Sequence, residues 1–115
     1  MLTQIPGVDM NEGLRRTGNQ YALYMRFLKQ FPEDPSFSVL HDALLSGDMH
    51  TAFLSAHTLK GLTAQLGITA LCAPAAELCD LLRIESPDTL PRALELLDAM
   101  MPVFHDVVRQ LTVLP

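Results

Sequence analysis

Positive charge is scarce in this 115-residue sequence. Eight lysines and arginines stand against thirteen aspartates and glutamates, a formal net charge of −5 with the four histidines neutral. A protein that grips a phosphate backbone normally carries a basic stripe or patch, so no nucleic-acid partner is expected. No apolar run is long enough to span a bilayer, so no direct membrane contact is expected either. The start, Met1-Leu2-Thr3-Gln4-Ile5-Pro6, lacks a basic segment followed by a long apolar one; no secretory leader is expected, and the cytoplasm is the default location. Cysteine is limited to Cys72 and Cys79. On one predicted helix they are separated by about 10.5 Å of rise, beyond disulfide reach, and two cysteines fall short of a zinc-ligand set. Both are read as reduced core residues. There is no glycine-rich nucleotide loop and no carboxylate cluster suited to Mg²⁺, so ATP hydrolysis and autokinase activity are not expected. Alternating strand-like runs, repeats, linkers and low-complexity tracts are also absent.

What remains is helical. A composition of 49% hydrophobic and 18% charged residues is that of a globular chain, and 115 residues suit one domain spanning 1–115. Asp9 is placed to N-cap a short first helix ending near Gly18, with Glu12 three residues on completing a capping box. Tyr21, Tyr24, Met25, Leu28 and Phe31 form the stripe of a second helix, which Pro32-Glu33-Asp34-Pro35 terminates. A third carries Phe37, Leu40, Leu44 and Leu45 and stops at Gly47. Asp48 then caps a central helix with an inward stripe of Met49, Ala52, Phe53, Ala56, Leu59, Thr63 and Leu66, closed by Gly67. The next has Leu71, Cys72, Ala75, Leu78, Cys79 and Leu82 at core spacing, its regular part expected only after Pro74. The last runs from about Asp88 to Leu111 on Leu90, Leu94, Leu97, Met101, Phe104 and Val108, with a kink expected at Pro102. Short connections favour antiparallel neighbours. The expected fold is all-α, an antiparallel up-down-up-down four-helix bundle with additional short N-terminal helices.

Chemistry concentrates on the central helix, in Ala56-His57-Thr58-Leu59-Lys60-Gly61 followed by Leu66-Gly67. Residues three and four apart are neighbours on a helix surface, so His57, Lys60 and Gly61 share a face. A helix-interior glycine costs about 1 kcal/mol relative to alanine. Clearance explains Gly61: something bulky approaches His57 and a side chain there would obstruct it. His57 falls roughly 120° from the centre of the inward stripe and should be exposed. Its lateral neighbours are His50, Leu54, Lys60, Gly61 and Ala64, a partly apolar docking surface rather than a pocket. An exposed imidazole titrates near 6.5, leaving much of it neutral and nucleophilic at neutral pH. That suits phosphoryl acceptance, with Lys60 as a mobile point charge for the phosphoryl oxygens.

Other readings compete with this one. An isolated exposed histidine is ordinary, and the fold could serve as a helical interaction module that makes no use of His57. A metal or haem bundle is a third class, but His50 and His57 lie about 10.5 Å apart along the helix, too far for both to reach one zinc at about 2 Å. His41 and His105 show no carboxylate-histidine spacing of the di-iron kind, and no metal site is expected. His50 is read as a solvated or rim residue. Glu77, Asp80, Arg83 and Glu85 form a charged outer face, and the sequence leaves open whether Glu77, Cys79 or Asp80 meets the His57 ring.

At these residues the chain resembles the histidine-containing phosphotransfer (HPt) family of bacterial and eukaryotic phosphorelays. Its motif Ala-His-x-Leu-Lys-Gly followed by Leu-Gly is met by Ala56, His57, Leu59, Lys60, Gly61, Leu66 and Gly67. Gly7-Val8-Asp9, Gly13-Leu14, Gly18 and Tyr24 resemble the family's opening segment, most of all that of modules at the C-terminal end of hybrid sensor kinases. Gly47-Asp48 resembles the turn before its active helix. The resemblance implies that His57 takes a phosphoryl group at Nε2 from a receiver-domain aspartyl phosphate and gives it to another receiver aspartate. It also implies that Lys60 faces the phosphate, that Gly61 is the clearance residue and that Gln65 hydrogen-bonds near the site. Response-regulator receiver domains would be the partners and would bring the Mg²⁺ and the acidic pocket. The chain would hold no cofactor of its own and act as a monomeric phosphocarrier, not a self-sufficient enzyme.

Overall fold

A computed structural model of the chain describes residues 4–115. Met1-Leu2-Thr3, part of the start read above for a leader, lies outside them. Six α-helices follow in order: α1 (Met10–Arg16), α2 (Tyr21–Gln30), α3 (Ser36–Ser46), α4 (Met49–Leu66), α5 (Thr69–Leu82) and α6 (Leu90–Thr112). Single 3₁₀ turns cover Phe31–Glu33 and Pro87–Thr89. No strand forms among the described residues; an isolated bridge pairs Ile5 with Val8. Among the described residues no helix is long and apolar enough to cross a membrane.

The bundle is a closed ring in which α4 packs on α3 and α5, and α6 packs on α5 and α3. Its antiparallel sense is visible in side chains that meet across helices. His50 at the start of α4 reaches Glu85 beyond the end of α5, and Arg92 at the start of α6 reaches Glu77 on α5. Phe37 at the start of α3 stacks on Phe104 near the end of α6, with centroids 3.9 Å apart. Phe31 meets the same ring edge-on at 6.1 Å, so three of the five phenylalanines close one end of the bundle. Offset and edge-to-face aromatic pairs add about 0.5–1.5 kcal/mol each beyond the area they bury.

Caps fall where short polar residues precede apolar periodicity. Asp9 accepts from the Glu12 backbone N–H at 3.1 Å and Asp48 from that of Thr51 at 3.1 Å. Hydrogen bonds from Thr51 hold the Asp48 carboxyl below its ordinary range. The expected capping box at α1 is only half formed. The Glu12 carboxylate turns forward to Arg15 and Arg16, whose hydrogen bonds hold it down at about 2, and the Asp9 N–H goes instead to Gly67 O at 2.7 Å. Two guanidiniums within reach outcompete one backbone donor.

The core differs from the expected one at several positions. Tyr21 and Leu45 are 52% and 64% exposed, outside the buried rows of Tyr24 and Leu28 on α2 and of Phe37, Leu40, Ala43 and Leu44 on α3. Cys72 is half-buried and only Cys79 is fully inside; both are free thiols. α5 is regular from Thr69 and takes Pro74 in its sixth position without a break. On α6 the buried row is Ala93, Leu96, Leu97, Met100, Val107 and Leu111, while Leu90, Leu94, Met101, Phe104 and Val108 flank it half-buried. The apolar arc of α6 is wide because it faces both α3 and α5, and its centre lies beside the row chosen from periodicity. α6 is continuous through Pro102.

The segment before α2 closes over the α4–α5 turn. Tyr24 is fully buried and donates its hydroxyl to Leu66 O at 2.7 Å, a carbonyl at the end of α4 without an intrahelical donor. Gly13 sits beneath that ring: a Cβ there would lie 2.5 Å from both Leu66 O and the Tyr24 hydroxyl. Burial, with the Asp9 charge as a lesser cause, pushes the Tyr24 phenol up to about 12. A raised phenol stabilises the fold fully below its unfolded value near 10, and that contribution disappears as pH rises toward 12. Tyr24→Phe should therefore cost about 1–3 kcal/mol at neutral pH by leaving Leu66 O unpaired. The gap between wild type and variant should narrow between pH 10 and 12 in denaturant titrations; a constant gap would refute the role of the hydroxyl.

Candidate functional site

α4, 18 residues long, packs on both α3 and α5, and its register decides what faces out. Met49, Ala52, Ser55, Ala56, Leu59, Thr63 and Leu66 are buried, with Phe53 and Leu62 half-buried. Ser55 joins the inward set unexpectedly, being small enough to fit. Thr63 satisfies its hydroxyl on Leu59 O at 2.8 Å, which lets a polar side chain occupy the interior without penalty. These residues leave His50, Leu54, His57, Thr58, Gly61 and Gln65 exposed, with Lys60 and Ala64 half-buried. Every residue predicted for the site therefore lies on the outer face of one helix.

Angles on that face divide it into two flanks. At about 100° per residue, Phe53 and Lys60 fall about 40° and 60° to one side of His57, and Gly61, Leu54 and Gln65 about 40°, 60° and 80° to the other. The first flank faces α5: the Arg83 guanidinium carbon lies 5.8 Å from the centre of the Phe53 ring, and that ring lies 6.2 Å from the imidazole. The second flank is open. A Cβ built on Gly61 meets nothing within 4 Å, and Leu54 is 50% exposed. Nothing inside the domain demands glycine at 61.

His57 is exposed, and its imidazole forms no hydrogen bond among the described residues. Each acidic candidate nearby is engaged elsewhere. Glu77 pairs with Arg92 at 3.3 Å, Asp80 with Arg83 at 3.1 Å and Glu85 with His50 at 2.6 Å. Cys79 is fully buried. His50 is thus paired with Glu85, and no group of three or more metal-ligating side chains occurs among the described residues. Gln65 is exposed on the glycine flank, and no hydrogen bond joins it to the His57 ring.

Two contributors were missed from sequence. By spacing Phe53 belongs to the inward stripe, yet it is only half-buried and its ring lies 6.2 Å from the imidazole. By sequence Arg83 belongs to a charged outer face with Glu77, Asp80 and Glu85. A signal existed for it. In an antiparallel helix pair joined by a tight turn, residues equidistant from the turn come together. The turn at Gly67-Ile68 brings His50 to Glu85 and Phe53 to Arg83 by that rule.

The arrangement defines a class: a helical bundle that presents one unencumbered imidazole on a rigid, open face, with cations on one side and clearance on the other. Residues 23–106 match the family model of the Hpt domain, and the chain belongs to that family. The match spans α3, α4 and α5 entire, with most of α2 and α6, and includes His57. Hpt domains are phosphocarrier modules of histidine phosphotransfer in phosphorelays, and they interact with response-regulator receiver domains. Searches of curated proteins and of solved structures returned no match.

Proposed function

We propose that His57 is the phosphoryl acceptor and donor of a two-component phosphorelay. The neutral imidazole uses its Nε2 lone pair to attack the phosphorus of a receiver aspartyl phosphate. The bond between phosphorus and the carboxylate oxygen breaks, its electron pair leaves with the aspartate, and a P–N bond forms. The ring keeps its proton on Nδ1. Running the same exchange backwards passes the group to a second receiver's aspartate. Such transfer depends mainly on in-line positioning and charge neutralisation. This chain positions the nucleophile on a helix fixed from both sides and contributes Lys60. The partner receiver supplies the acidic pocket and Mg²⁺. In this reading the chain is a monomeric cytoplasmic module, of the kind found at the end of hybrid sensor kinases, with Leu54, Gly61, Ala64, Gln65 and His50 under the docked receiver.

The observation that carries the proposal is an exposed imidazole without internal partners beside a glycine that the fold itself does not need. It favours transfer over a role as a helical interaction module alone. The test is incubation with a phosphorylated receiver, Mg²⁺ and radiolabel. Wild type should gain acid-labile label and His57→Gln none, while Lys60→Ala should gain label that is transferred more slowly or lost faster. Equal labelling of wild type and His57→Gln would sink the proposal.

A further inference from the structure

We infer that Arg83 is a second phosphate-binding cation for phosphorylated His57, carried on the Phe53 ring and exchanged onto the phosphoryl group from Asp80. The inference rests on His57 being the phosphoryl acceptor. Lys60 lies one turn C-terminal to His57 and Phe53 one turn N-terminal, on the same flank of α4. Arg83, just beyond the end of α5, holds its guanidinium carbon 5.8 Å from the centre of the Phe53 ring, which itself lies 6.2 Å from the imidazole, and so adds a second cation to the flank that carries Lys60. Its present anionic partner is weakly held: Arg83 and Asp80 are 56% and 74% exposed, and such surface pairs contribute little. A phosphoryl group carries more negative charge than a carboxylate and offers three acceptor oxygens, which suit the guanidinium fork. The guanidinium lies within cation–π range of Phe53, which biases it toward the flank where the phosphoryl group would arrive.

The expected consequence is a longer-lived phosphohistidine. In a loose transition state the P–N bonding electrons move onto the imidazole and the phosphoryl group loses negative charge. A cation on the phosphoryl oxygens then stabilises the ground state more than the transition state for hydrolysis.

The test charges the purified domain from a phosphorylated receiver, removes the receiver, and follows loss of acid-labile label together with the ³¹P resonance of the phosphohistidine. Arg83→Gln should acquire label on His57, shift that resonance and shorten the half-life about three- to tenfold, with Arg83→Lys in between because it keeps charge without the fork. Asp80→Asn removes the same ion pair but leaves Arg83 free, and its half-life should equal or exceed that of wild type. A wild-type half-life in Arg83→Gln would overturn the inference. So would an equal shortening in Asp80→Asn, which would mark the pair as a structural unit. Absence of label on wild type would instead overturn the assignment of His57.

Discussion

Gly61→Gln is expected to stabilise the free domain and to cripple its phosphotransfer. Glycine inside a helix is less favourable than glutamine by somewhat less than about 1 kcal/mol, and the new side chain would enter empty space next to Gly61. The melting temperature should rise by about 2–4 °C. Transfer from a charged receiver should fall at least about tenfold, since a long side chain beside the nucleophile blocks close approach at the centre of the interface. Gly61→Ala, which adds one methyl group, should give the same stabilisation with a smaller kinetic loss. Thermal melts and single-turnover labelling of the same preparations decide the matter. A raised melting temperature with wild-type transfer would move the docking surface off the glycine flank. A lowered melting temperature would mean that the bundle itself requires glycine at 61.

How much of this was legible beforehand depends on the range of the interaction involved. Gly47 ends α3, and Asp48 and Gly67 bound α4, through contacts within a few residues, as their types and positions imply. The exposure of His57 follows from the periodicity of one helix and needs no knowledge of its neighbours. Arg83 lies twenty-six residues from His57 in sequence, so no helical spacing links them, and only the packing of α4 on α5 brings it near. The offset on α6 has a related cause. A helix touching two neighbours has a broad apolar arc, and periodicity locates the arc better than its centre. Glu12 shows a third limit. Its spacing from Asp9 satisfied a capping box, but Arg15 and Arg16 offered stronger partners on the same turn.

The Leu66-Gly67 end of the motif serves the fold rather than the chemistry, and Gly67→Ala should show it. Gly67 has φ of +71°, a left-handed conformation that costs an alanine roughly 1–2 kcal/mol. Its amide donates to Ala64 O while the Ile68 amide reaches back to Thr63 O, closing α4 in a glycine-terminated turn. A Cβ at this position would lie 2.9 Å from Gly13 N and closer still to Asp9 O, both backbone atoms that no side-chain rotation can move. Relief requires lifting α1 from the turn, which breaks the 2.7 Å bond from Asp9 N to Gly67 O and loosens the seat of Tyr24 on Leu66 O. The combined loss should reach about 3 kcal/mol or more, in the range set by strained backbone plus broken buried hydrogen bonds. Urea unfolding would read this as a lower midpoint, and amide exchange should accelerate first in residues 5–19. Well below its melting temperature the variant should still take label on His57, because α3 and α5 continue to hold the outer face of α4 in place. Loss of labelling in a folded Gly67→Ala would instead tie this turn directly to phosphotransfer.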